Sequence, residues 1–201
     1  MTQPSIPFHR IQRVAVLGSG VMGSRIACHL AQTGSRVLLM DLPSENGPRD
    51  AIAAGHLKAA LKSKPSPLYS KRFADRIETG NFDDDLPRIA DCDWIIEVIV
   101  ERLDIKQQLF ERVEQFRKLG TFVTSNTSGI PIAQLSEGRS EDFQKHFCGT
   151  HFFNPPRYLP LLEIIPGPHT APDVLAFFTG YGDRILGKQV VLCKDTPAFI
   201  A

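Results

Sequence analysis

The feature that most constrains the fold is a glycine-rich hexapeptide, Gly18–Gly23, with the sequence Gly-Ser-Gly-Val-Met-Gly. The apolar stretch Arg13–Leu17 before it predicts a buried strand, and Ser24–Thr33 after it predicts a helix with an apolar inner face. A GxGxxG pattern between a strand and a helix allows a tight turn and close approach of the backbone to a pyrophosphate. This arrangement therefore predicts a dinucleotide-binding unit.

An acidic residue at the end of the second predicted strand extends this interpretation. Arg36–Met40 is apolar, and Asp41 follows it, at the spacing of roughly 20 residues that such sites show. A carboxylate there would accept hydrogen bonds from the adenosine ribose and repel a 2′-phosphate. The sequence predicts NAD as cofactor, with contacts from Asp41 and from the loop residues Gly18, Gly20, Val21, Met22 and Gly23.

The rest of the chain alternates short apolar runs with helical patterns. A helical stretch over residues 51–61 lies among prolines and interrupts the alternation. Further strands are predicted at 93–100, 121–124, 147–153, 161–165 and 189–193, and further helices at 105–120 and 173–186. This order predicts an α/β fold with a Rossmann-type, doubly wound, mostly parallel sheet and a helical excursion after the second strand. The ligand crevice should lie at the carboxyl ends of the strands.

Charge and composition argue against several kinds of partner. Lys and Arg number 23 and Asp and Glu 22, so the net charge of +1 creates no overall field for nucleic acid or an anionic membrane. Apolar runs are far shorter than the ~18–20 residues that cross a bilayer. The four cysteines form no CxxC pair, so neither a metal site nor a disulfide framework is indicated. We expect a cytoplasmic protein, since no apolar signal core precedes the first strand.

His151 is a candidate general base. It ends an apolar strand, and Glu163 follows on the next one. A neutral imidazole there could take a hydroxyl proton while the carboxylate holds the other ring nitrogen. A histidine beside aromatic residues is also commonly a core residue, and spacing alone leaves both interpretations open. The other histidines are interpreted as structural: His9, His29, His56, His146 and His169.

Four motifs occur here in the order typical of 3-hydroxyacyl-CoA dehydrogenases: Gly18–Gly23, Ser125–Ser128, His151–Pro155 and Lys194–Pro197. The likeness covers nearly the whole chain. The sequence most resembles the bacterial branch in which the dehydrogenase unit opens a longer polypeptide with an enoyl-CoA hydratase-like part. The resemblance implies NAD-dependent oxidation of L-3-hydroxyacyl-CoA to 3-ketoacyl-CoA in fatty-acid β-oxidation.

The resemblance also implies roles at the reacting end of the site. It makes His151 the catalytic base, Glu163 its partner and Ser128 a hydroxyl that contacts both the substrate oxygen and the nicotinamide. Separately, the lysine-rich stretch after the helical excursion suggests that Lys62 contacts the phosphates of CoA. The alternative for Lys62 is a solvated lysine face.

Four more residues receive cofactor roles from the same resemblance. Glu101 and Lys106 would lie around the nicotinamide ribose, with Asn126 and Asn154 nearby. Glu101 and Lys106 could instead be a surface ion pair at the start of a helix, a contact of little energetic value.

Two departures from the family pattern affect the domain assignment. Ala198 stands where the family has glycine, which excludes backbone conformations that only glycine accepts. The family continues with an asparagine at the substrate carbonyl and a helical substrate and dimerisation domain, which this sequence lacks. We therefore expect residues 1–201 to be an NAD-binding Rossmann domain, poorly active alone, of a protein that forms a homodimer through the missing domain. The alternatives are a dehydrogenase of a small hydroxy or sugar acid, and an NAD-binding module inactive in isolation.

Overall fold

Within residues 11–196 and Phe199, the part of the chain that the computed structural model describes, eight strands form one sheet. The strand order is β3-β2-β1-β4-β5-β6-β7-β8. The strands are β1 Arg13–Leu17, β2 Arg36–Asp41, β3 Ile77–Asn81, β4 Trp94–Glu97, β5 Phe122–Ser125, β6 Phe147–Phe152, β7 Leu161–Pro166 and β8 Gln189–Leu192. Neighbours pair in parallel except β6 and β7, which are antiparallel. The predicted mostly parallel, Rossmann-type sheet is confirmed.

Helices cover both faces of this sheet. They are α1 Val21–Gln32, α2 Ala51–Lys62, α3 Leu103–Phe116, α4 Ile132–Ser136, α5 Glu141–Lys145 and α6 Pro172–Arg184, with 3₁₀ segments at Lys71–Arg76 and Leu86–Asp91. On one face the rings of Trp94 and Phe178 lie 5.1 Å apart, and on the other those of Phe110 and Phe143 lie 5.6 Å apart. Because both faces are buried, the central strands are continuous apolar runs rather than alternating ones.

From β1, the strands β2 and β3 extend the sheet in one direction, and β4 and the later strands extend it in the other. The strand order therefore reverses between β1 and β4. Such a switch point leaves a crevice beyond the carboxyl ends of the strands. Gly18 leaves β1 there with a φ of +107°, and its amide donates to the carbonyl oxygen of Met40 at 2.8 Å. The amide of Ser24 donates to the carbonyl of Gly20 at 3.0 Å. Helix α1 therefore begins within the glycine motif, at Val21, and not at Ser24 as predicted.

The sequence-based element assignment was wrong in several places. It missed β3, an edge strand whose polar sequence Ile-Glu-Thr-Gly-Asn lacks an apolar pattern, and it missed the short helices α4 and α5. Strand β4 ends at Glu97 and not at Val100, because the chain turns away where the amide of Ile99 bonds the Glu97 carboxylate at 2.7 Å. Helix α3 ends at Phe116, before the glycine predicted to stop it.

Two further observations concern the cysteines and the length of the helices. The four cysteines, Cys28, Cys92, Cys148 and Cys193, are free and buried. In the described part of the chain, no helix has the length and apolar character that a membrane crossing requires. The expectations for His9 and Ala198, and Pro197 of the last motif, lie outside the described residues.

Candidate active site

The three glycines of the loop have different surroundings. A Cβ on Gly23 would lie 1.8 Å from the carbonyl oxygen of Gly18, and one on Gly18 would lie 2.5 Å from that of Val98. A Cβ on Gly20 would meet no heavy atom within 4 Å, so its surface is open to the crevice. Helix α1 starts at the next residue, and the free amides of a helix N-terminus favour an anion. The loop therefore fits the pyrophosphate of a dinucleotide.

Alanine at Gly20 and at Gly23 should have opposite effects. Gly23→Ala should cost at least roughly 1–3 kcal/mol of stability, because the new methyl group meets backbone that cannot move aside. Gly20→Ala should change the free energy of unfolding by no more than about 1 kcal/mol, yet weaken NAD binding about tenfold by occupying space at the loop. Urea unfolding and calorimetric NAD titration measure the two effects. Unchanged NAD affinity in Gly20→Ala would argue against a pyrophosphate at this loop.

The carboxylate of Asp41 lies at the end of β2, against the glycine loop. Its Oδ2 accepts hydrogen bonds from the amide of Ser19 at 2.7 Å and from the Ser19 hydroxyl at 2.5 Å, and its Oδ1 accepts one from the amide of Leu42 at 2.8 Å. The side chain is 19% exposed, so it remains accessible from the crevice. A negative charge in this position suits ribose hydroxyls and opposes a phosphate.

His56 is not the core histidine that the sequence-based interpretation expected, because it lies half-exposed beside the glycine loop. Its Nδ1 lies 2.8 Å from the hydroxyl oxygen of Ser19 and 3.8 Å from Oδ2 of Asp41, and 51% of its side chain is exposed. No spacing in the sequence links His56 to the loop, because helix α2 brings it there through the tertiary fold. Its position in a helix inserted just after the Asp41 strand was the one available signal.

Strands β6 and β7 bring His151 and Glu163 together. The two residues lie directly opposite each other in the antiparallel register, and His151 Nδ1 is 2.6 Å from Glu163 Oε2. The Glu163 side chain is fully buried, whereas that of His151 is 13% exposed. In the neutral imidazole, Nδ1 donates to the carboxylate and Nε2 keeps its lone pair. This arrangement has the geometry of a general base with an orienting carboxylate.

Lys106 is buried in an ion-pair network, so the surface ion pair considered for it is wrong. Its side chain is 1% exposed, and its Nζ lies 2.5 Å from Glu97 Oε1 and 3.2 Å from Glu101 Oε2. Burial raises the pKa of Glu97, and the Lys106 charge and a hydrogen bond from the Ser125 hydroxyl oppose that rise. The sequence-based prediction missed Glu97, although a carboxylate inside the otherwise apolar run 94–100 was a usable signal.

Glu101 anchors the loop that follows β5. Its Oε1 accepts hydrogen bonds from Thr127 Oγ1 at 2.5 Å and from the amides of Ser128 and Gly129 at 2.9 and 3.1 Å. Burial acts to raise the pKa of Glu101, but these hydrogen bonds and the Lys106 charge outweigh it, and the pKa is lowered. The ionised carboxylate therefore holds Ser128 in an exposed position beyond the end of β5.

Both predicted asparagines join separate parts of the crevice. Oδ1 of Asn126 accepts a hydrogen bond from the amide of Phe152 at 2.8 Å, which links the ends of β5 and β6. Oδ1 of Asn154 accepts one from Arg25 of α1 at 2.5 Å.

A cleft of about 330 Å³ lies between the start of α1 and the second half of α2, and it is lined by Gly20, Val21, Ser24, Arg25, His56, Ala59, Ala60 and Ser63. Lys62 is exposed at the end of α2. Among the residues that the structure describes, it does not line this cleft.

The sheet order and the glycine loop with its acidic partner place this chain in the class of Rossmann-type dinucleotide-binding domains. More specifically, it belongs to the 3-hydroxyacyl-CoA dehydrogenase family, since the family described as "3-hydroxyacyl-CoA dehydrogenase, NAD binding domain" matches residues 13–196. The predicted family and the predicted cofactor, NAD, are confirmed.

Known proteins similar to this chain have related names. A "Probable 3-hydroxyacyl-CoA dehydrogenase" of Bacillus subtilis is 49% identical over 95% of the chain, and a "Putative fatty acid oxidation complex trifunctional enzyme" of Rickettsia felis is 40% identical over 96%. The chain spans 26% and 27% of their respective lengths. The crystal structure of 3-hydroxybutyryl-CoA dehydrogenase from Escherichia coli superposes with a TM-score of 0.81 at 33% identity, covering 95% of this chain and 40% of that one.

Proposed function

We propose that this chain is the NAD-binding part of an enzyme that oxidises L-3-hydroxyacyl-CoA to 3-ketoacyl-CoA in fatty-acid β-oxidation. The observation that carries the proposal is the 2.6 Å contact between His151 Nδ1 and the buried carboxylate of Glu163, at the crevice of an NAD-binding fold. The names of the Bacillus and Rickettsia relatives support the substrate class and the pathway.

In this proposal His151 moves the proton of the substrate hydroxyl. Its Nε2 accepts that proton as the C3–O bond becomes a carbonyl, and the ring becomes an imidazolium. Glu163 stabilises the new positive charge through its contact with Nδ1. NAD, when bound, supplies the acceptor for the hydride that leaves C3. In the reverse direction the imidazolium returns the proton to the developing alkoxide.

Other residues in the proposal orient the reactants. The hydroxyl of Ser128 contacts the substrate oxygen and the nicotinamide. Glu101 positions that hydroxyl, because its carboxylate accepts a hydrogen bond from the Ser128 amide. Glu101, whose side chain is 40% exposed, contacts the nicotinamide ribose, and the buried Lys106 acts there through its 3.2 Å contact with Glu101 Oε2. Asn126 and Asn154 lie beside the ribose.

The remaining cofactor and substrate contacts lie toward the other end of the crevice. Gly18, Gly20, Val21, Met22 and Gly23 hold the pyrophosphate, in accord with the open surface at Gly20. Lys62 contributes to binding of the CoA phosphates from the end of α2, and its exposure leaves the charge available.

For the whole protein we propose the domain organisation and the homodimer that the family resemblance implies. Residues 1–201 would be its NAD-binding domain, and a helical domain would complete the acyl-CoA cleft and form a homodimer. The relatives support this proposal, because the chain spans only about a quarter of the Bacillus protein. Free, buried thiols suit the reducing conditions of the cytoplasm, where we place the enzyme.

Comparing substrates tests the proposed function. The full-length protein should oxidise L-3-hydroxybutyryl-CoA with NAD much faster than free 3-hydroxybutyrate or a sugar acid, as followed by NADH absorbance. Residues 1–201, assayed alone at saturating NAD, serve as the comparison. They should bind NAD but oxidise the substrate poorly, because positioning of the acyl chain can account for about 7–11 kcal/mol of barrier reduction. Preference for a free hydroxy acid would overturn the substrate assignment.

Asp41 should determine the preference for NAD. In wild type, NAD should bind much more tightly than NADP, because the Asp41 carboxylate opposes a 2′-phosphate. Asp41→Ala should weaken NAD binding about tenfold or more and reduce the discrimination, by loss of hydrogen bonds to a charged group. Asp91→Ala, which removes an exposed carboxylate before β4, is the control and should change neither. Equal affinity of wild type for both nucleotides, measured by calorimetry, would rule out this role of Asp41.

A further inference from the structure

Helix α2 brings an imidazole ring to the glycine loop. The Nδ1 atom of His56 lies 2.8 Å from Ser19 Oγ, and that hydroxyl donates to Asp41 Oδ2 at 2.5 Å. His56, Ser19 and Asp41 therefore form a connected chain of polar groups that spans α2, the loop after β1 and the end of β2.

The hydrogen bonds of Ser19 determine which nitrogen of the His56 ring carries a hydrogen. A serine hydroxyl has one hydrogen, and Ser19 uses it toward the Asp41 carboxylate. The contact between Ser19 Oγ and His56 Nδ1 then needs its hydrogen from the ring, so Nδ1 is the donor. In the neutral ring Nε2 is consequently an acceptor, the type of group that a sugar hydroxyl can bond.

The ring is held in place without being buried. Ser19 fixes the Nδ1 edge, while 51% of the His56 side chain stays exposed and lines the cleft of about 330 Å³ beside Gly20 and Ser24. A polar group whose orientation is already fixed loses little conformational freedom when a ligand binds, so its hydrogen bond contributes more to affinity.

We propose that His56 is a further NAD-binding residue, which accepts a hydrogen bond from a hydroxyl of the adenosine ribose and steadies Asp41 through Ser19. The proposal rests on the NAD site proposed above. It makes α2, the helical excursion after the second strand, a wall of the cofactor site. The role differs from that of Asp41, because the neutral imidazole contributes a hydrogen bond without a negative charge.

Two variants of the full chain test this role by calorimetric NAD titration. His56→Ala removes the ring, and His56→Phe keeps the ring volume but removes both nitrogens. Each should raise the Kd of NAD about 5- to 30-fold, the value of one or two hydrogen bonds. His169→Ala is the matched control, because His169 is an exposed histidine that follows β7, a strand far from β1 and β2 in the sheet order. It should leave the Kd unchanged.

Thermal unfolding of the same variants separates binding from structure. Both His56 variants should keep a Tm close to wild type, since the side chain is half exposed. A lowered Tm with an unchanged Kd would assign His56 a structural role and overturn the proposal, as would NAD binding by His56→Phe at wild-type strength. If wild type itself did not bind NAD, the proposed function would fail instead, so the two failures are distinguishable.

Discussion

Replacing His151 with glutamine in the full-length enzyme should lower turnover by roughly 10²–10⁴-fold, the range for loss of a general acid–base group. Glutamine keeps a polar side chain of similar length but has no nitrogen that takes a proton at neutral pH. The ring contacts Glu163 rather than the glycine loop, so the Kd of NAD should change by less than about twofold. Stopped-flow or steady-state NADH absorbance measures turnover, and calorimetry measures NAD binding.

Two further variants make this result specific. Glu163→Gln should also be slow, because it removes the charge that stabilises the imidazolium while keeping the side-chain shape. His146→Gln is the control, since His146 is also partly buried beside a carboxylate, with Nδ1 3.4 Å from Asp142 Oδ1, but lies at the amino end of β6. Turnover of His151→Gln within a few-fold of wild type across the pH range would rule out His151 as the base.

Lys106→Met should destabilise the fold by about 3–5 kcal/mol, the usual cost of removing one partner from a buried ion pair. The variant leaves the carboxylate of Glu97 fully buried without the ammonium group 2.5 Å away. Hydrogen bonds from Ser125 and from the amide of Ile99 remain, but they do not replace a positive charge. Urea unfolding followed by circular dichroism measures the loss.

The loss should depend on pH. Burial already raises the pKa of Glu97 in the folded protein, and removing Lys106 raises it further. A group with a raised folded pKa favours the folded state at low pH, and this contribution is lost as the pH rises through the folded pKa. Lys106→Met should therefore lie closest to wild type in acid and fall behind it as the pH increases.

Matched variants identify the buried carboxylate as the cause. Adding Glu97→Gln to Lys106→Met should restore part of the lost stability, because no charge then remains unpaired. Lys145→Met is the control, since its partner Glu141 is on the surface and exposed pairs contribute little. A Lys106→Met variant that unfolds at the same urea concentration as the Lys145→Met variant would contradict the network described for Glu97.

Much of the nucleotide site could be predicted because its signals are local. The turn at Gly18 needs a φ of +107°, and Gly23 has no room for a Cβ, so short-range backbone geometry demands both glycines. Asp41 could be predicted because the end of a buried parallel strand places a side chain at the crevice. Both features depend on residues close in sequence and on rules that apply to every sheet of this kind.

By itself, then, the sequence determined most of the alternation of strands and helices, though not β3, α4 and α5, together with the glycine loop, the family and the cofactor. Only the tertiary structure decided which polar groups meet. His56 reaches Ser19 across 37 positions because α2 packs beside the loop, and Glu97 pairs with Lys106 inside the fold. The pairing of Glu163 with His151 was predicted, but the structure supplies its geometry, because β7 runs antiparallel to β6, a direction that an apolar run does not encode. Such contacts arise from packing of distant segments, and the residue types alone do not specify that packing.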